Sequence, residues 1–107
     1  MVAAKSMARL VDINDDELED MIDIFWTLSD PSRVKIIYSL NGEMKLSVSR
    51  IAELLGMKIS LVSHHLSTLK RLGFVKRNKD GKEVFYEIAD SCILDILQRA
   101  RDHVTGN

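Results

Sequence analysis

A length of 107 residues with 46% hydrophobic content bounds this chain to one domain with a modest core. No run approaches the about 18 apolar residues of a membrane span, Lys5, Arg9 and Asp12 interrupt any signal-peptide core, and the lone Cys92 excludes an internal disulfide framework and suits a reducing cytosol. The net charge of −1 is unevenly sorted: residues 1–30 hold eight acids and two bases, whereas residues 57–82 hold seven bases and one acid. Such sorting predicts a basic working surface on an acidic remainder, because steering follows local potential rather than the total.

Residues 1–13 show no clear period and are expected to form a mobile arm or a frayed first turn. Asn14-Asp15-Asp16-Glu17 has the form of a helix start, with an acceptor cap and acids at the positive end of the dipole. Leu18, Met21, Ile22, Phe25 and Leu28 then make an apolar stripe, with Trp26 off to one side; this helix suits either core packing or half of a dimer interface. Asp30-Pro31 opens a second helix through Val34, Ile37, Tyr38 and Leu40, which Asn41-Gly42 ends. Ser47 or Ser49 opens a third, with Val48, Ile51, Ala52, Leu54 and Leu55 inward and Gly56 as its stop.

A three-residue turn, Gly56-Met57-Lys58, leads into the stretch that most needs explaining. In Lys58–Gly73, Val62, Leu66, Leu69 and Leu72 recur at helical spacing and define a buried face. The opposite face carries Ser60, Ser63, His64, Ser67 and Arg71, with no acid. Short hydroxyl and imidazole side chains allow close approach to another surface and hydrogen-bond to base edges or phosphates. His65 drifts toward the buried side, where it either touches phosphate or packs. Lys58 stands where a Ser or Thr cap is expected, which leaves Ser60 as an alternative cap; a capping Ser60 would be withdrawn from base reading.

After Gly73 the period changes to two. Phe74–Asn78 and Lys82–Ile88 read as strands, with Lys79-Asp80-Gly81 as the turn between them. Two short helices joined by a Gly-containing turn, then a hairpin, make a helix-turn-helix followed by a wing. The wing's Lys76, Arg77, Lys79 and Lys82 suit phosphates or a minor groove. Asp90 begins a last helix with Cys92, Ile93, Ile96, Leu97 and Ala100 along one side and His103 near its end; residues 105–107 are expected to fray.

With this order laid out, residues 20–104 resemble the ArsR/SmtB family of winged-helix repressors. The resemblance rests on Leu28-Ser29-Asp30-Pro31-Ser32-Arg33 with Ile36-Ile37, on Ile51-Ala52-Glu53-Leu54-Leu55-Gly56, and above all on Val62-Ser63-His64-His65-Leu66 with Leu69. Arg77, Asp80-Gly81-Lys82 and Phe85-Tyr86 complete it. It implies a mainly α fold with a small β-hairpin wing, a winged helix-turn-helix in the order α-α-α-α-β-β-α. It further implies a homodimer built from the first and last helices, operator binding, and release of DNA by a metal or other inducer.

Family members with a thiolate site carry Leu-Cys-Val-Cys where this chain has Leu46-Ser47-Val48-Ser49, and a protonated hydroxyl is a poor ligand for soft metals. A second family site lies on the last helix, where this chain matches with Asp90 and His103, has Cys92 in place of a His, and has Gly106 at the fourth position. Carboxylate, thiolate and imidazole suit zinc or another divalent ion. Cys92 and His103 lie ~16 Å apart along a helix, so such a site needs two antiparallel last helices of a dimer. The same three residues also read as a helix cap, a small interface hydrophobe and a complement to the helix dipole.

The leading expectation is a cytoplasmic, homodimeric repressor on an inverted-repeat operator in double-stranded DNA, with no membrane and no substrate. It contacts DNA through Ser60, Ser63, His64, His65, Ser67, Lys70, Arg71, Lys76, Arg77, Lys79 and Lys82. The alternatives are a winged-helix protein-interaction module, or a regulator of this family with no metal site. An enzyme is disfavoured: Ser63 and His64 are sequence neighbours that point in different directions on a helix, and nothing supplies an oxyanion hole.

Overall fold

The computed structural model describes residues 12–42 and 45–106. The expected N-terminal arm, apart from its last two residues, lies outside them. Among the described residues, five helices and three strands follow one another as α1 (Asp15–Leu28), α2 (Pro31–Ser39), β1 (Leu46–Ser47), α3 (Val48–Leu55), α4 (Ile59–Arg71), β2 (Val75–Asp80), β3 (Glu83–Ile88) and α5 (Cys92–Thr105).

The helix starts follow local chemistry. Asn14 Oδ1 accepts from the Glu17 N–H at 2.8 Å. Asp30 Oδ1 accepts from Ser32 at 2.8 Å and Arg33 at 3.3 Å, with Pro31 in the first helical position. Of the two serines expected to open α3, Ser47 is the cap; its Oγ accepts from Arg50 N–H at 3.1 Å. Gly56 ends α3 at φ +64°, a left-handed conformation that L side chains rarely adopt. No side chain caps α4: Lys58 holds the cap position and Ser60 lies in the first turn, so its hydroxyl is not spent as a cap.

The wing differs from the expected two-stranded hairpin. β2 runs on through Asp80, which pairs with Glu83, so Gly81 and Lys82 form the turn. The short β1 adds a third strand, Leu46 opposite Tyr86 and Ser47 opposite Phe85, giving an antiparallel sheet of order β1-β3-β2. Two residues are too few for any periodicity to reveal. The consequence is structural: the wing is tied to the start of α3.

The core is built from Ile36 and Ile37 of α2 with Leu40 at its C-terminal cap, Ile51 and Ala52 of α3, and Val62, Leu66 and Leu69 of α4. Phe74, Val75, Tyr86 and Ile93 close it. Leu54, expected inward, is 51% exposed, because Ile51, Ala52 and Leu55 define the buried face and Leu54 falls on its flank. The α1 stripe of Leu18, Met21, Ile22 and Phe25 is exposed on the single chain. At the other end Thr105, expected to fray, is still helical. Its Oγ1 donates to the Arg101 carbonyl at 2.9 Å, and Gly106 closes the helix at φ +80°.

Candidate nucleic-acid interface

The α3–turn–α4 pair sets the site. Burying Val62, Leu66 and Leu69 forces the opposite side of α4 outward, and Ser60, Ser63, His64, Ser67, Lys70 and Arg71 are all exposed there. The wing presents Lys76, Arg77, Lys79 and Lys82. One of these cations is shared with an acid, since Lys76 Nζ lies 3.5 Å from Glu87.

Helix and wing meet across two open clefts. One, of about 420 Å³, is lined by Ser63 of α4, Arg77 and Lys82 of the wing, and Ser47 and Ser49 at the start of α3. The other, of about 430 Å³, lies between Ser67, Lys70, Arg71 and Arg77. Arg77 and Tyr86 border both, so the hydroxyl-bearing helix face and the cationic wing form one continuous surface. That surface offers donors to base edges beside cations for phosphates, the two kinds of contact that DNA recognition combines.

His65 does not belong to it. The side chain is only 6% exposed, and its Nδ1 accepts a hydrogen bond from Arg33 Nε at 3.1 Å. Arg33 also donates from Nη1 to the Thr27 carbonyl at 3.5 Å, so one guanidinium ties α4 to α2 and the end of α1. Burial pulls the His65 pKa below its ordinary value; the Asp30 carboxylate opposes this, while Arg33 and His64 add to it. Burial would raise the Asp30 pKa, but the Arg33 and Ser32 backbone N–H groups, with His65 and Arg33 nearby, hold it below the usual carboxylate range. The neutral ring with Nδ1 accepting is therefore the state the fold selects. Arg33 stood in a motif of the sequence without an assigned role; only the packing reveals it as the anchor.

The donors of the last helix are partly assembled. Asp90 Oδ1 accepts from the Cys92 N–H at 3.0 Å, and the hydrogen bonds from the Cys92 backbone and thiol hold the carboxyl below its ordinary range. The hydrogen bond to Asp90 in turn pushes the Cys92 thiol up, with burial and the Asp90 and Asp95 charges adding to it. His103 lies at the far end of α5, and among the described residues no three His, Cys, Asp or Glu side chains converge within one chain. Where the resemblance places thiolates, Ser47 and Ser49 stand with hydroxyls 3.3 Å apart, and Ser47 Oγ already caps α3.

Comparison with known proteins sets the chain among bacterial regulators. Residues 30–77 match the model of "Bacterial regulatory protein, arsR family". The cadmium resistance transcriptional regulatory protein CadC homolog of Staphylococcus aureus is 38% identical over 84 residues, covering 78% of this chain and 69% of that protein. The CadC proteins of Listeria innocua and Lactococcus lactis are matched over 62% of their length, so the chain spans about two thirds of these curated relatives. Among solved structures, that of Mycobacterium tuberculosis Rv0081 superimposes with a TM-score of 0.76 at 29% identity, over 86% of this chain and 92% of that one. A homodimeric winged helix-turn-helix domain, Mb0332 of Mycobacterium bovis, shares the fold with a TM-score of 0.73 at 23% identity, over 82% and 81%.

Proposed function

The chain belongs to the arsR family of bacterial regulatory proteins, and on that premise we propose that it is a sequence-specific regulator of transcription that binds double-stranded DNA as a homodimer. The observation that carries this reading is the continuous surface of α4 and wing joined at Arg77. The N-terminal half of α4 enters the major groove, where Ser63 and His64 meet base edges and Ser60 and Ser67 flank them. Lys70, Arg71, Arg77, Lys79 and Lys82 contact phosphates. Two copies of α4 read an inverted repeat whose half-sites lie about 34–36 Å apart, one helical turn, or a multiple of that spacing.

Dimerisation uses α1 and α5. The apolar stripe of Leu18, Met21, Ile22 and Phe25 lies outside the core of its own chain and supports this assignment. Of the two forms of the reading, the donor chemistry favours a regulator without a metal site. Ser47 and Ser49 stand where the thiolate pattern has cysteines, and Gly106 leaves the last-helix set without a fourth side-chain donor. Nothing in the arrangement calls for catalysis.

The test is selection of a duplex from a random pool by purified protein, followed by affinity against salt. Each phosphate contact contributes about 0.9 to the slope of log K against log salt. Replacing Arg77 and Lys79 together by Ala is expected to make the slope shallower by about 2 and to weaken binding equally across sequences. A slope of zero, or a pool that yields no preferred sequence, would turn the basic face toward an acidic protein partner.

A further inference from the structure

On the other flank of α4, away from the wing, lies a third cleft of about 390 Å³ between α1 and α4. We infer that it binds a flat aromatic carboxylate and that its occupant competes with DNA; the competition rests on the DNA-binding reading above, whereas the site itself does not.

The cleft has a fixed floor and an open rim. Thr27 and Thr68 are buried, and Thr68 Oγ1 donates to the His64 carbonyl at 3.3 Å. Arg33 is held by its bonds to His65 and the Thr27 carbonyl. Holding a guanidinium in place before the ligand arrives removes much of the ordering cost of binding. Trp26 stands on the rim at 76% exposure, the only tryptophan of the chain. An aromatic ring of this size is normally packed. On the single chain its face is open beside two guanidiniums, Arg33 and Arg71.

Charge and size define the ligand. Arg33 and Arg71 oppose the single carboxylate of Asp23, so the cleft is net positive and favours an anion. With Arg33 Nε and Nη1 already donating within the fold, the two parallel hydrogen bonds to a carboxylate fall to Arg71, and the indole face accepts a planar ring. The volume sits at the small end of the range for small-molecule pockets, about 300–1,000 Å³, which suits a one- or two-ring acid.

The same geometry yields the consequence. His64 and Arg71 belong both to this cleft and to the DNA-facing side of α4. A ligand held by them withdraws two DNA contacts without any change of fold. For simple competition, ligand at ten times its dissociation constant raises the apparent Kd for DNA about elevenfold.

The experiment uses the full chain and three probes: benzoate, benzamide (the ring without the charge) and cyclohexanecarboxylate (the charge without the flat ring). Trp26 fluorescence reports binding directly. Saturable quenching by benzoate is expected, at least tenfold weaker for the other two, with the benzoate response lost in Arg71→Gln. A second arm follows DNA binding by anisotropy: benzoate should raise the Kd for the selected duplex in the native chain and leave it unchanged in Trp26→Ala. Quenching that never saturates, or equal responses to the three probes, overturns the site. Saturable quenching with an unchanged DNA affinity overturns the competition. If no duplex is bound at all, the reading of the α4 face fails while selective quenching still supports the site.

Discussion

At His65 the nitrogen facing Arg33 is an acceptor, so the ring is neutral wherever that bond exists. Protonation would set an N–H against an N–H and a second cation beside the guanidinium. Asp30 capping α2, Arg33 within that helix and His64 on α4 are the charged or titratable groups that act on the ring; only Asp30 favours its cationic form. The sign follows from linkage. The folded-state pKa lies below that of the unfolded chain, about 6.5 for a free His. Between the two values the unfolded state binds more protons, so stability is intact above about pH 6.5 and is lost as pH falls through the folded-state value. Urea midpoints at pH 8 and pH 5 should therefore differ, and His65→Leu should narrow the difference. An unchanged difference in that variant would assign the acid sensitivity to other groups. Periodicity alone left His65 between packing and phosphate contact; the position of Arg33, thirty-two residues earlier, resolves it.

Along α4 the two faces carry different kinds of information, and substitutions separate them. Leu66 is fully buried among the side chains of α2, α3 and α4. Truncation to Ala removes apolar contact and leaves a cavity, at an expected cost of about 2–5 kcal/mol. Ser63 is exposed on the opposite side, and Ser63→Ala should change stability by no more than about 0.5 kcal/mol while weakening DNA binding. Chemical denaturation and anisotropy on the same pair of variants make the comparison. A large stability loss in Ser63→Ala would mean that its hydroxyl serves the fold. The alternation of α4 was legible from the sequence because it depends only on the 3.6-residue period. The pairing of β1 with β3 was not, since two residues carry no period and the partner lies about forty residues downstream.

For the whole molecule, the core gathers α2 to α5, takes Ile24 and Leu28 of α1 against its side, and leaves Leu18, Met21, Ile22 and Phe25 to solvent on a single chain. Burying such a stripe against a second copy recovers roughly 25 cal/mol for each Å² of apolar surface. Phe25 is 53% exposed, so Phe25→Glu leaves the chain's own core intact. It should convert the sedimenting species from dimer to monomer with an unchanged helical circular dichroism signal, and DNA affinity should fall because one α4 alone reads half a site. An unaltered sedimenting mass would move the interface away from α1.

By itself the sequence determined the helix limits set by Asn14, Asp30, Pro31 and Gly56, the buried and open faces of α4, and the basic wing; it left the start of α3 between Ser47 and Ser49. Each of these follows from chemistry within a few residues: a cap, a ring-locked φ, a left-handed glycine, a repeat of apolar positions. Only the tertiary structure decided the rest. It took His65 from the DNA-facing set, gave Arg33 its role, sewed β1 to the wing, and set Trp26 beside Arg33, His64 and Arg71 across a cleft. Those relations join residues distant in the chain, and which of them meet depends on how the helices pack, a property that no local pattern contains.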